Sequence, residues 1–204
     1  LDHSWRTILL TLVITMIIGF GVRFIFVDDN IMNMLPKDIE SRRVWDEISD
    51  EFKYSDFLFV AFGRDGENVL TSENLALSWD LTDEFEKISQ VDEVLSLSTM
   101  NRMEGDDGFL EVDALIPKRE LTQQEIQSIS TYLKDNNNLS SRLLGKNGDY
   151  INIIIRPKME SDFPEMVSSI REITAPFEEI YDFHFGGQPY IAGKVPSLIL
   201  TETR

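Results

Sequence analysis

The chain has only two histidines, His3 and His184, and no cysteine for nucleophilic or transition-metal chemistry. A Ser-His-Asp relay, a multi-histidine metal site, a thiolate nucleophile, Cys-ligated zinc and a disulfide scaffold are each left without parts. His184 sits between Phe183 and Phe185 with no matching nucleophile or metal partner, so it reads as a partly exposed structural histidine. The acid pairs Asp28-Asp29, Asp106-Asp107 and Glu178-Glu179 are of a type that binds Ca²⁺. None has the alternating spacing of a calcium loop, and they read as solvated charge. Gly186-Gly187 is too short for a phosphate loop, and no Gly-x-Gly-x-x-Gly follows a strand. Phe57, Phe59 and Phe62 are suited to lining a lipid path, but core packing explains them as well. No catalytic, cofactor-binding or metal-binding residue is assigned, and neither enzymatic activity nor a cofactor is expected.

The elements that would position any site come next. The chain has 204 residues, 42% hydrophobic and 27% charged, enough for one good core or two small ones. Its net charge of -17 argues against nucleic acid, because no excess of cations exists to replace phosphate counterions. The charge is not evenly spread. Residues 1–27 carry Arg6 and Arg23 against Asp2, a net of +1, so the other 177 residues carry -18. An apolar N-terminal segment thus precedes an acidic, water-soluble domain. The start at Leu1 and the stop at Arg204, inside an apolar-patterned stretch, read as a fragment of something longer.

Residues 7–27 are apolar apart from Thr7, Thr11, Thr15 and Arg23. As a helix they rise about 30 Å, the thickness of a bilayer core. Trp5 and Arg6 stand where an interfacial anchor and an inside-facing cation belong, and Asp28, Asp29 and Asn30 close the other end. Arg23, five residues from Asp28, is placed to snorkel outward. The anchor residues are therefore Trp5, Arg6 and Arg23. A cleaved signal peptide would explain Arg6 and Gly19-Phe20-Gly21, but Phe24 to Val27 continue the apolar run beyond that site. The expected layout is a transmembrane helix with a short cytoplasmic start over 1–28, an extracytoplasmic domain over 29–187, and a connector over 188–204 leading to a second membrane helix. That places the chain in the cell (inner) membrane.

The acidic domain reads as α+β. Residues 38–52 are patterned as an amphipathic helix with Val44, Trp45, Ile48 and Phe52 on one face. Phe57 to Phe62 is an apolar run, expected as a central strand buried on both faces. A helix over 72–89, with its seam at Leu77, Leu81, Phe85 and Ile88, and a strand over 91–100 complete a β-α-β unit. Residues 101–108 read as a loop and 109–116 as a half-exposed strand. Thr122-x-x-Glu125 is a capping box for a helix through Ile126, Ile129 and Leu133, closed by Asn136-Asn137-Asn138. Lys146-Asn147-Gly148 is a hairpin turn before Tyr150 to Ile155. Pro164 opens a helix whose face includes Val167, Ile170, Ile173 and Phe177, and Phe183 and Phe185 mark a last strand. The span Tyr150–Phe185 is a second β-α-β unit. Two such units in one sheet give a ferredoxin-like sandwich.

The order of these features resembles the start of RND (resistance–nodulation–division) superfamily exporters, in the MMPL-like branch. The resemblance rests on the single N-terminal apolar helix, Asp28-Asp29, Leu35-Pro36-Lys37-Asp38, Glu51-Phe52 before an apolar strand, and Val91-x-x-Val94-x-Ser96. It continues through Leu121-Thr122, Asn147-Gly148 and Gly187-Gln188-Pro189. Lys53 stands where the family often has Gly, and Glu40 where it often has Pro. The resemblance implies proton-driven export of hydrophobic or amphiphilic, lipid-like substrates, with 29–187 as the first porter domain and the proton-carrying acids in a later membrane helix. The partners it implies are the lipid bilayer, an amphiphilic or hydrophobic small molecule, the second porter domain of the same full-length chain and, in a homo-oligomer, further copies. A porter must deform to alternate access, so the two β-α-β units are expected to move against each other. The alternative is a single-pass anchored extracytoplasmic sensor or binding domain. About five further apolar segments beyond Arg204 would favour transport.

Overall fold

The computed structural model describes residues 4–21, 36, 39–40, 43–44, 56–106, 109–159 and 161–194. Two compact units divide at Asp50/Glu51. In the first, α1 (Ser4–Gly21) is a single helix with apolar side chains around its whole circumference. Trp5, Ile8, Leu10, Met16, Ile17 and Phe20 are all exposed. Two of its threonine hydroxyls bond back to the helix itself: Thr11 Oγ1 donates to Thr7 O and Thr15 Oγ1 to Thr11 O, each at 2.9 Å. Among the described residues no helix is long and apolar enough to cross a membrane. The 18 residues of α1 rise about 27 Å, and a hydrocarbon core is about 30 Å thick. Arg23, Asp28, Asp29 and most of the amphipathic stretch 38–52 lie outside the described residues.

The second unit is built on β1 (Leu58–Gly63), α2 (Ser72–Glu86), β2 (Val91–Leu95), β3 (Asn101–Asp106), β4 (Phe109–Ala114), α3 (Gln123–Asp135), α4 (Asn137–Leu143), β5 (Tyr150–Pro157), α5 (Phe163–Thr174) and β6 (Asp182–Gly186). It is a mixed α+β domain. Four strands form one antiparallel sheet in the order β2-β5-β1-β6. A separate β3–β4 hairpin stands off it.

Among the described residues of this unit, the sheet is covered on one face only. Leu58, Val60 and Phe62 of β1 and Ile151, Ile153 and Ile155 of β5 have no exposed surface, and each contributes about 2–3 kcal/mol by burial. Leu75, Leu81 and Phe85 of α2 and Met166 and Ile170 of α5 cover them. The intervening Phe59 is 38% exposed. So β1 is central, as its apolar run predicts, but not buried on both faces. A continuous apolar run reports two-sided contact, and here half of that contact is left open.

The two β-α-β units do not form separable bodies. β1 and β2 come from the first, β5 and β6 from the second, and they alternate across the sheet. Val94 faces Ile155, and Leu58 faces the same Ile155 from the other side. A shear between the units would break the ladders on both flanks of β5, so the expected relative movement of the two units has no plane to follow.

Other elements depart from the expected boundaries. Residues 101–106, read as a loop, pair with 109–114 from Asn101↔Ala114 to Asp106↔Phe109. The polar composition hid the strand because Met103 and Val112 are both exposed and no apolar face is needed. Asn136 ends α3, yet Asn137 immediately opens α4, with Leu143 as its buried residue. Residues 188–194 are helical and cross α5 closely. A Cβ at Gly193 would lie 2.6 Å from both Phe163 O and Val167 Cγ2.

The capping box forms as its spacing predicts. Thr122 Oγ1 accepts from Glu125 N–H, and Glu125 Oε2 accepts from Thr122 N–H at 2.7 Å. Lys118 Nζ, 2.8 Å from Glu125 Oε1, is the main cause of the low pKa of that carboxyl, lowered from 4.5 to about 2, with Thr122 N–H and hydroxyl adding to it. Thr122→Ala should destabilise the domain by about 1 kcal/mol, read from the urea midpoint by circular dichroism. A depressed folded-state pKa stabilises above the ordinary value, so that contribution is lost as pH falls from 4.5 toward 2. Glu125→Gln should flatten the fall of the midpoint across that window; an unchanged slope would refute the assignment.

Candidate functional site: the open face of the sheet

The strand register builds this face row by row. Leu95 of β2, Ile154 of β5, Phe59 of β1 and Gly186 of β6 are direct neighbours across the sheet, so the side chains of the first three share one side, with the bare Gly186 backbone beside them. All four are at least partly exposed. Phe57, just before β1, is also exposed. The next row is Asn152, Ala61 and His184, and the third is Tyr150, Gly63 and Asp182. An apolar band at one end therefore passes into a polar field at the other. This is the surface an amphiphile or an apolar protein face would match.

The polar end is fixed by close contacts. His184 is exposed and lies against Tyr150, ring centroids 5.2 Å apart, which accounts for it as a structural histidine. Burial, then the charges of Asp182, Asp65 and Asp149, push the Tyr150 hydroxyl pKa up, so the phenol stays neutral. Asn152 Nδ2 donates to Arg142 O at 2.8 Å. Gly63 is required by close approach, because a Cβ there would collide with the Asp149 carbonyl oxygen. At the opposite end Arg156 meets both Asp92, at 2.9 Å, and Glu93, at 2.8 Å. Those charges bound the apolar band on that side.

Among the described residues the space between sheet and helices is lined by the core side chains already named. A hydroxyl cluster is the main buried polar feature. Thr82 Oγ1 donates to Ser78 O at 2.7 Å and lies 2.9 Å from Ser96 Oγ, which in turn lies 2.8 Å from Ser98 Oγ. Ser78 Oγ is buried and has no hydrogen-bond partner among the described residues. The cluster ties the end of β2 to α2, and it gives the Ser96 of the Val91-x-x-Val94-x-Ser96 pattern a packing role.

Trp5 and Arg6 are exposed on α1, and Arg23 is outside the described residues. Among the described residues no three His, Asp or Glu side chains gather to hold a metal ion. Glu178, of the pair Glu178-Glu179, is taken by Arg171 at 3.3 Å. Of the three phenylalanines weighed for a lipid path, Phe57 and Phe59 are exposed and Phe62 is core, and Leu95 and Ile154 went unmarked because apolar runs give no sign of which face is covered.

A comparison with protein-family models gives no match, and neither does a comparison with curated proteins.

Proposed function

We propose that the chain supplies the first membrane helix and the first porter domain of a proton-driven RND-type exporter of hydrophobic or amphiphilic molecules. The observation that carries the reading is α1. A helix that is apolar all round is stable only inside an apolar surrounding, and the Thr11 and Thr15 hydroxyls are satisfied by the helix's own carbonyls, as a lipid environment demands. Trp5 and Arg6 at its start suit the cytoplasmic interface.

Two features of the second unit support the porter role. Counted within the main sheet, its strands run 2-3-1-4 with helices after the first and third, the order of a ferredoxin-like split β-α-β sandwich. The open face then provides the working surface. Its band of Leu95, Ile154 and Phe59 takes the apolar part of a substrate or the second porter domain, while the rows around His184 and Tyr150 stay with water. Movement comes from this domain as one body against its partner domain, because its two β-α-β units share a sheet.

Topology tests the reading directly. Reporter fusions after residue 30 and after residue 120 should both report the extracytoplasmic side. A cytoplasmic signal at either position overturns the orientation. Export that survives deletion of residues 56–186 from the full-length protein overturns the porter role.

A further inference from the structure

Away from the open face, a groove of about 890 Å³ runs between the β1–α2 loop, the end of α3, α4 and the turn before β5. Its lining is polar, with Asn68, Asn137, Ser141, Lys134, Lys146 and Asn147 around a floor that includes Leu133. Its charge is opposite to that of the chain. Residues 126–148 hold Lys134, Arg142 and Lys146 against a single acid, Asp135, in a protein of net charge -17. The one acid in the lining, Glu67, is 3.5 Å from Arg64.

The two lysines of the groove also have no carboxylate partner among the described residues. Arg64, Lys87, Lys118, Arg119, Arg156 and Arg171 each have a carboxylate within ion-pair distance. Among the described residues neither Lys134 nor Lys146 has one. Arg142 and Lys158 lack a carboxylate partner among these residues too, but only Lys134 and Lys146 lie together on a groove, and two such cations there give it a place for an anion from outside. Lysine serves phosphate as a point charge, and the side-chain amides of Asn68 and Asn137 supply further donors, while the Ser140 and Ser141 hydroxyls, which donate to Asn137 O and Asn138 O, offer acceptor lone pairs to a ligand hydroxyl. The volume far exceeds a bare phosphate and falls within the roughly 300–1,000 Å³ of ligand sites, so the anion carries an organic part. The polar lining makes that part hydroxylated rather than apolar.

We infer that this groove binds an organophosphate, with Lys134 and Lys146 meeting the phosphate and the asparagine and serine side chains meeting a glycerol- or sugar-like portion. The site goes beyond the transport reading and does not depend on it. The ligand is either a soluble phosphate ester or the headgroup of a lipid.

The test uses the 204-residue chain in non-ionic detergent and isothermal titration with three probes: glycerol 3-phosphate, inorganic phosphate and dihexanoyl phosphatidylglycerol below its micelle concentration. At least one of the two organophosphates should bind more tightly than inorganic phosphate. The double variant Lys134→Glu/Lys146→Glu should weaken that binding by about tenfold or more, since each lysine–phosphate contact at about 4 Å is worth a few-fold even in water-like dielectric. Lys87→Glu/Lys158→Glu, with the same change in total charge, should leave it within about twofold, because its sites lie outside the groove and share only the long-range field. Unchanged far-UV circular dichroism keeps the comparison free of misfolding. Binding of glycerol 3-phosphate identifies a soluble ester as sufficient; binding of the lipid alone identifies a headgroup. Inorganic phosphate binding as tightly as the others, no binding at all, or equal loss in the two double variants each overturns the proposal.

Discussion

Leu58→Asp is expected to unfold the sheet domain, with a loss of at least about 4 kcal/mol, whereas Phe59→Asp should cost about 1–2 kcal/mol. The two residues are adjacent on β1, and both are large and apolar. Leu58 has no exposed surface and faces Ile155 beneath the helices, so an aspartate there is a buried charge without a partner. Phe59 is 38% exposed and faces Ile154 on the open side, where a carboxylate keeps its water. Urea unfolding followed by far-UV circular dichroism separates the two. Similar losses for both variants would mean that the second face is covered in solution and that the open face does not exist.

Phe59→Asp/Ile154→Asp in the full-length protein should reduce export at least about tenfold while leaving the protein folded and in the membrane. Two charges placed in the middle of the apolar band make it a poor match for an acyl chain or for an apolar partner face, and each wrongly desolvated charge costs several kcal/mol. A cross-link between strands should behave in the opposite way. Val94 and Ile155 are direct neighbours on β2 and β5, and the chain has no cysteine to complicate the chemistry. The disulfide formed by Val94→Cys/Ile155→Cys should leave export near wild type, because those strands already move together in one sheet. Export assays with the cross-link verified by mass spectrometry check both outcomes. Full export by the double aspartate variant removes the open face from the function; loss of export by the verified cross-link, with folding intact, would show that the sheet itself deforms.

Much of the local structure was legible in the residues. The capping box at Thr122 and Glu125 formed as spaced, because a cap depends on groups three residues apart and needs no distant partner. The helix through Leu77, Leu81 and Phe85 formed for a similar reason: its apolar period states which side must be covered. Pro164 opened α5 where its missing N–H does no harm. The apolar circumference of α1, too, was plain in the sequence. Strand 101–106 was not, since an exposed hairpin needs no apolar alternation to mark it. Nor was α4, whose seven residues carry too little pattern to distinguish a new helix from the end of α3.

What only the tertiary structure decided is the pairing of distant strands and, with it, the candidate site. Local pattern requires that Leu58, Val60 and Phe62 be buried, but it is silent on whether Phe59 and Ile154 are buried as well. That depends on whether a second layer covers the other face, a matter of contacts between residues about a hundred positions apart. The alternation β2-β5-β1-β6 is likewise a choice among pairings of similar apolar strands, made by the connections and by the helices that must share one face. It turns two apparently separate β-α-β units into a single rigid sheet with one open side. The groove around Lys134 and Lys146 arises in the same way, because the fold brings the loop at residues 66–70 against residues 130–148.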